Sequence, residues 1–370
     1  MNRNFIFASS LLARTIIGAG IFSLPFVFYS VGFGIGMLYL FVFVLAYCAM
    51  HIMYAESIET EPEGHDFAHL ARKYLGKKLG TFAVLITLIE LLIVLTAYII
   101  LSQSFFSILF GMPGIYAAIL FWLLGTIFIF VDLKWIERVS VGSVLFLLIT
   151  AFIIFQYSLP HVFTTPTSKS LDLFVLLLPF GPLFFALNGR PGISKTVAVW
   201  RSAKKSNSPF SLRKAIIVGT LLPSLVYIIF VIGVLKLSPI PSQDAISGIA
   251  NILPLWIVKL LGVFGFFAIW APYFMIGSNI KDILEKDLRF GRWIAAWLII
   301  LIPIGLFFSG VTQFLSVIGF VGGLFLALEG IFVVTIWRRA FPKSRFRSVS
   351  YFLYLLFILS IAYEIIFIIF

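Results

Sequence analysis

The chain has 370 residues, 61% of them hydrophobic and 11% charged, with a formal net charge of +12 and a mean hydropathy of +1.12. A soluble domain carries about a quarter charged residues, so this composition excludes one and indicates an integral membrane protein. The basic excess invites a nucleic-acid partner, but its placement along the chain, described below, argues for membrane topology and against nucleic acid.

A transmembrane helix needs about 20 apolar residues. Eleven segments qualify, at about 5–30, 32–56, 79–104, 114–131, 138–159, 171–200 (interrupted), 214–236, 252–282, 291–309, 312–337 and 349–370. The expected fold class is all-α integral membrane, in one transmembrane domain over 1–370. Cys48 is the single cysteine and lies within the second segment, so no disulfide framework or cysteine metal cluster is expected. No cofactor is expected either. Arg14 interrupts the first apolar run, and no small-residue cleavage site precedes the second. The first segment therefore reads as a mature helix and not as a signal peptide.

The first segment contains TIIGAGIFSLP, Thr15–Pro25. Gly18 and Gly20 bracket Ala19 where a continuous helix is expected, and Pro25 follows. Glycine weakens a helix interior and proline removes a backbone donor. Unwound backbone at membrane depth is tolerated only where it faces protein or a water-filled cavity. The stretch is therefore a candidate solute site, or else a glycine face for close helix packing.

After the second span, the loop EPEGHDFAHLARKYLGKKLG carries apolar residues at Phe67, Leu70, Tyr74 and Leu75. That spacing predicts a short amphipathic helix at the membrane interface. His65 and His69 are four apart there, but with no third ligand they read as loop residues, and no metal site is expected. The third span holds Glu90, Thr96 and Tyr98. An intramembrane carboxylate is a functional candidate by default, and a carboxyl tying two helices together is its structural alternative. The fourth and fifth spans read as scaffold.

The sixth span runs LDLFVLLLPFGPLFFALNGRPGISKTVAVW. Gly181-Pro182 predicts a kink, and Asn188-Gly189-Arg190-Pro191-Gly192 is a breaker run, with more helix to Trp200. The first and sixth spans are thus both interrupted, five spans apart and entering from opposite sides. That is the layout of two five-helix units in inverted topology, with the ligand where the broken helices meet. The repeats fall at about 5–159 and 171–337, with a peripheral helix at about 349–370. The seventh span is ordinary. The segment SPIPSQDAISGIAN suggests a lid-like loop with a short helical part, and Trp270 on the eighth span is a candidate for the cavity wall. The tenth span carries Gly319, Gly322, Gly323 and Glu329.

Placed on this topology, 22 of the 27 lysines and arginines fall in alternate segments on one side, against Lys169 and Lys236 on the other. This positive-inside asymmetry predicts a multi-pass protein of the inner (cytoplasmic) membrane with a cytoplasmic N-terminus.

GAGIFSLPFVF, HLARKYLGKKLG, FFALNGRPGIS and LRKAIIVGTLLPSLVYIIFVIGVL resemble the amino acid/auxin permease branch of the amino acid–polyamine–organocation transporters, in particular its prokaryotic aromatic-amino-acid-permease-like members. The resemblance implies the inverted-repeat fold and carriage of an amino acid by alternating access. It also places the substrate carboxylate at the amides of Gly18, Ala19, Gly20 and Ile21, and the amine at carbonyls around Phe185, Ala186 and Leu187. Thr15, Ile17, Asn188 and Gly189 flank these positions, and Tyr98 and Trp270 complete the candidate binding set. Helix physics agrees, because one half-helix start offers amides and another half-helix end offers carbonyls.

Arg14 and Arg190 depart from the family's pattern. Each either pairs with Glu90 or Glu329, or contacts an acidic or unusual substrate. In similar transporters sodium is often held by hydroxyls of the eighth span, where this chain offers only Tyr273 across 262–277. Proton coupling through Glu90 and Glu329 is therefore the expectation, with exchange or sodium coupling as alternatives. A membrane enzyme would need a catalytic constellation, which His51, His65, His69 and His161, at span ends or in loops, do not make. A non-transporting amino-acid sensor is the remaining rival.

Overall fold

The computed structural model describes residues 2–63, 67–130, 136–161 and 172–369. His65, Lys134 and Lys169 lie outside them. In chain order the helices are α1 (Arg3–Ile16), a 3-10 turn (Ala19–Ser23), α2 (Leu24–Val31), α3 (Phe33–Glu59), α4 (Phe67–Leu75), α5 (Lys77–Phe110), α6 (Gly114–Phe130) and α7 (Ile136–Ser158). They continue as α8 (Leu173–Leu177), α9 (Phe180–Leu187), α10 (Arg190–Lys205), α11 (Leu212–Leu237) and α12 (Leu255–Asp282), which runs into a π turn (Ile283–Asp287). The last are α13 (Arg292–Phe308), α14 (Phe314–Phe320), a second π turn (Val321–Leu326), α15 (Ala327–Ala340) and α16 (Arg347–Ile369). Among the described residues, seven helices are long and apolar enough to cross a membrane; one bent pair and three shorter apolar helices bring the segments to eleven.

Depth in the bundle differs sharply between helices. In α5, 78% of the most apolar window is buried inside the protein, against 33% in α16. The third span is therefore the central post, and the last shows most of its surface to lipid. Helix α5 packs along α12, α1 lies against α10 and α11, and α9 sits on the second π turn.

Both interrupted spans are broken, and local chemistry sets where. The first bends by 50° between α1 and the segment Ala19–Val31. In the sixth, the break is confined to Asn188 and Gly189, since Arg190 already begins α10 and Pro191 occupies its first turn. Proline is suited to that position, where its missing N–H has no helical partner. For the same reason Gly181-Pro182 does not kink the span: both lie in the first turn of α9, and the irregular turn falls before them, at Leu178-Pro179. Gly181 instead lets α9 approach α14 and the second π turn, since an added Cβ would collide with the Gly319 backbone at the end of α14. Helix α10 continues to Lys205, beyond the expected Trp200.

The amphipathic loop helix forms as α4, but its apolar stripe, with Phe67, Leu70 and Leu75 buried, packs onto α5 and α15 and not into lipid. Its polar side builds a cluster on Glu61, which accepts from Lys73 at 2.5 Å and lies 3.2 Å from His69. Burial alone would push the Glu61 carboxyl up, but hydrogen bonds from Lys73 and His69 hold it below the ordinary carboxylate value. Arg201 on α10 donates to the carbonyls of Ile58 and Glu61, fastening the end of the sixth span to the end of α3. The segment 238–254 forms turns with no helix. It wraps around Asp244, which accepts from Ser242, Ser247 and, on α5, Ser104.

Candidate functional site

The two breaks meet. Helix α1 ends at Ile16, its cap Ile17 and Gly18 (φ −149°, ψ −153°) are extended, and the chain resumes helix at Ala19. The first amides of a helix have no partner within it and lie at its positive end, so this turn presents donors. Opposite, α9 closes with Asn188 in extended conformation, and a helix end presents carbonyls.

Several ordinary side chains hold these ends in register. The Tyr227 hydroxyl lies 2.8 Å from the Ile16 carbonyl and 2.7 Å from that of Ala186, so one proton is shared between the two breaks. Tyr47 donates to the Phe184 carbonyl at 2.6 Å. Fully buried His51 accepts the Gly189 N–H on Nε2 and faces Thr220 with Nδ1. Since Thr220 donates to the Ile216 carbonyl, the ring proton sits on Nδ1 and His51 is neutral. His51 is thus a core residue of the sixth break and not a span-end histidine.

The glycines divide into two kinds. A Cβ on Gly20 would lie 2.5 Å from the Ala186 Cα, one on Gly189 would meet Ile16 at 2.7 Å, and one on Gly192 would meet the Thr15 hydroxyl at 2.5 Å. These are contact points between the broken spans. A Cβ on Gly18 would meet nothing nearer than the Ile16 carbonyl at 4.0 Å. Packing and an open site are therefore both present, at different glycines.

A cavity of about 740 Å³ begins at the breaks. Arg14, Thr15, Ile17, Gly18, Ala19, Gly20, Tyr98, Phe185, Asn188, Glu90 and Arg190 line it, and it extends to Lys281, Asp282 and Asp287 at the end of α12. Near that end, Arg72 of α4 donates to the Asp287 carbonyl at 2.9 Å. On the other side of the breaks stands a plug of fully buried rings. Phe22 lies 5.0 Å from Phe105, 5.3 Å from Phe264 and 6.0 Å from Phe230. Ile21, Ala186, Leu187 and Gly189 lie behind the cavity wall. Trp270 is also off the wall, stacked on Phe266 at 5.3 Å.

Three charged groups from three helices converge beside the cavity, with Glu90 and Arg190 on its wall. Arg190 of α10 pairs with Glu329 of α15, and its guanidinium lies 4.7 Å over the Phe67 ring of α4. Thr87 donates to Glu329 at 3.4 Å. Glu90 of α5 is close enough to interact with both, while its Oε2 has no hydrogen-bond partner among the described residues. All three are buried. One guanidinium balances one carboxylate, and the second is left for a proton or another cation to balance.

A family model described as the tryptophan/tyrosine permease family matches residues 1–369. The chain belongs to the tryptophan/tyrosine permease family. It is also 29% identical over 270 residues to the tyrosine-specific transport system 2 of Haemophilus influenzae. That match covers 68% of this chain and 64% of the relative, so the chain spans under two thirds of the relative's length. Among solved structures, MhsT in complex with L-phenylalanine superposes with a TM-score of 0.68 at 15% identity, over 99% of this chain and 97% of that one. A manganese transporter of Eremococcus coleocola does so with a TM-score of 0.62 at 14% identity, over 97% and 85%. These likenesses show the fold: an all-α membrane transporter architecture of five plus five helices in inverted repeats, with the first and sixth broken.

Proposed function

We propose that this permease is a secondary transporter that moves an aromatic amino acid across the cytoplasmic membrane by alternating access, coupled to protons and independent of sodium. The observation that carries the reading is the meeting of two broken spans at one cavity, with amides from one and carbonyls from the other. A zwitterion needs both kinds of partner, and helix ends supply them without a buried full charge. The carboxylate sits on the amides of Gly18, Ala19 and Gly20, residues that line the cavity, whereas the Ile21 amide is taken up by the Gly18 carbonyl. The amine faces the Phe185 carbonyl, because Tyr227 already holds that of Ala186 and Leu187 lies behind the cavity wall. Tyr98, Phe185, Phe267 and Phe274 on the wall suit an aromatic side chain. The relative named for tyrosine transport and the neighbour holding L-phenylalanine support that substrate class.

Basic residues lie at the end reached by the cavity, so the positive-inside asymmetry makes this the cytoplasmic side and the conformation inward-facing. The repeats occupy about 5–159 and 171–337. Proton coupling is favoured by the unbalanced carboxylate beside Arg190, on the wall of the cavity the substrate enters.

Proteoliposome uptake of labelled tyrosine, tryptophan and phenylalanine tests this, with a pH gradient and, separately, a sodium gradient. The expected result is accumulation under the pH gradient alone, lost on Gly18→Val, whose Cβ enters open space beside the break. Accumulation under sodium alone overturns the coupling. Absence of flux under either gradient overturns the transporter reading.

A further inference from the structure

The peripheral span α16 carries a carboxylate that the substrate cavity does not use. Its inward stripe is Leu353, Leu356, Phe357, Ser360, Tyr363 and Glu364, while Ile365, Ile366 and Phe367 on the outer side are exposed. Glu364 is only 5% exposed and makes no hydrogen bond or ion pair with any described residue. It faces the second π turn, where its carboxyl occupies the space a Cβ on Gly323 would need and lies 3.9 Å from the position of one on Gly319. One turn earlier on the same stripe, fully buried Ser360 has a hydroxyl that is likewise without a partner. The Glu364 carboxyl thus points into a glycine-lined notch, with the partnerless Ser360 hydroxyl one turn away on the same stripe. π turns inserted in α-helices occur frequently at functional sites.

We propose that Glu364 is a second proton-binding site of this protein, separate from the Glu90–Arg190–Glu329 cluster and serving the same transport cycle. An ionised carboxylate with no positive neighbour is strongly disfavoured in such a place, whereas a protonated one is tolerated. Among the described residues, the groups facing it from the packed elements supply no cation. Tyr363 beside it donates to the Phe174 carbonyl, and Asp172 caps α8. Tyr39 and Tyr47 lie on α3, and Glu329 on α15 is already paired. The second π turn and α9 carry no titratable side chain. A metal-sized cation fits poorly, because the Gly319 and Gly181 carbonyls are directed into the α9 contact and not at Glu364.

Position gives the site its use. Glu364 lies roughly 25 Å along α16 from Arg347, at about 1.5 Å per residue, toward the end opposite the basic loops. The carboxylates of that cluster lie toward the other end. The tenth span joins the two, since Gly319 and Gly323 border Glu364 and Glu329 follows on the same continuous helix. Loading a proton at Glu364 removes the charge that would force water into the notch, and so favours close packing of α16 on the tenth span.

The test uses the wild-type protein in liposomes and dicyclohexylcarbodiimide, which adds across its C=N bond to a protonated carboxyl in an apolar setting. Peptide mass mapping is expected to find Glu364 labelled at acid pH, with labelling falling about tenfold per pH unit above the site's midpoint. Sodium should not protect it. In parallel, Glu364→Gln keeps volume and neutrality and is expected to retain substrate exchange while losing the alkaline limb of its pH profile. Labelling that does not vary with pH, protection by sodium, or an unchanged pH profile in Glu364→Gln overturns the proposal. Proton-dependent labelling in a protein that moves no aromatic amino acid would keep the site and remove only its role in transport.

Discussion

The first and sixth spans are broken in different ways. At the first, Gly18 has open space beside it and the new helix begins with uncommitted amides. At the sixth, the Gly189 amide is held by His51, the Ala186 carbonyl by Tyr227 and the Phe184 carbonyl by Tyr47. In the proposed pose the carboxylate end of a zwitterion would thus meet free donors, whereas the amine end would meet a clamped turn with few carbonyls to spare. Recognition of the two ends would then be unequal, and the clamp is where the breaks are kept in register.

The sharpest break in this comparison is Arg190→Met, which strands Glu329 beside Glu90 without a cation. Losing one partner of a buried pair costs about 3–5 kcal/mol, and thermal unfolding in detergent should show it. The double variant Arg190→Met/Glu329→Met should recover most of that loss while abolishing pH-driven uptake. Gly20→Ala comes next, since its methyl overlaps the Ala186 backbone. Overpacking of about 1–3 kcal/mol should appear as lowered stability, whereas Gly18→Ala should leave stability unchanged and weaken only substrate affinity. If both variants behave alike, the division of the glycines is wrong. Tyr227→Phe removes the shared proton, at about 1 kcal/mol, and should speed hydrogen exchange at both breaks together. Exchange raised at only one break would show that the tyrosine does not couple them. The smallest effect belongs to the loop cluster. Glu61 is held below its ordinary value in the folded state, so its contribution is present above the unfolded carboxylate pKa. That contribution is lost as pH falls through the lower, folded one. Glu61→Gln should flatten that acid limb of a melting curve, by under about 1 kcal/mol because Lys73 and His69 are well exposed.

Much of this architecture was legible in the chain, because its signals are covalent. Apolar length marks the spans, and Gly18, Gly20, Asn188 and Gly189 mark the breaks. The pairing of Arg190 with a carboxylate was one of two readings, and the fold selects Glu329. Tyr227, Tyr47 and His51 carried no local signal, because a hydroxyl or imidazole in an apolar helix acquires its role only from what lies across the bundle. Glu364 escaped for a related reason: its span reads as peripheral, and only the π turn shows that one face is buried. Trp270 misled in the opposite sense, since an aromatic residue in a cavity-lining helix can as well stack on its own helix neighbour.

The plug of Phe22, Phe105, Phe230 and Phe264 has an electrical consequence. With water reaching the breaks from one side, the membrane voltage falls mainly across those four rings and little of it along the cavity. Moving an elementary charge through 100 mV involves about 2.3 kcal/mol, and that work is concentrated in the single step that parts the rings. In the proposed cycle the zwitterion passes them without net charge, and the voltage would act only on the ion that accompanies it.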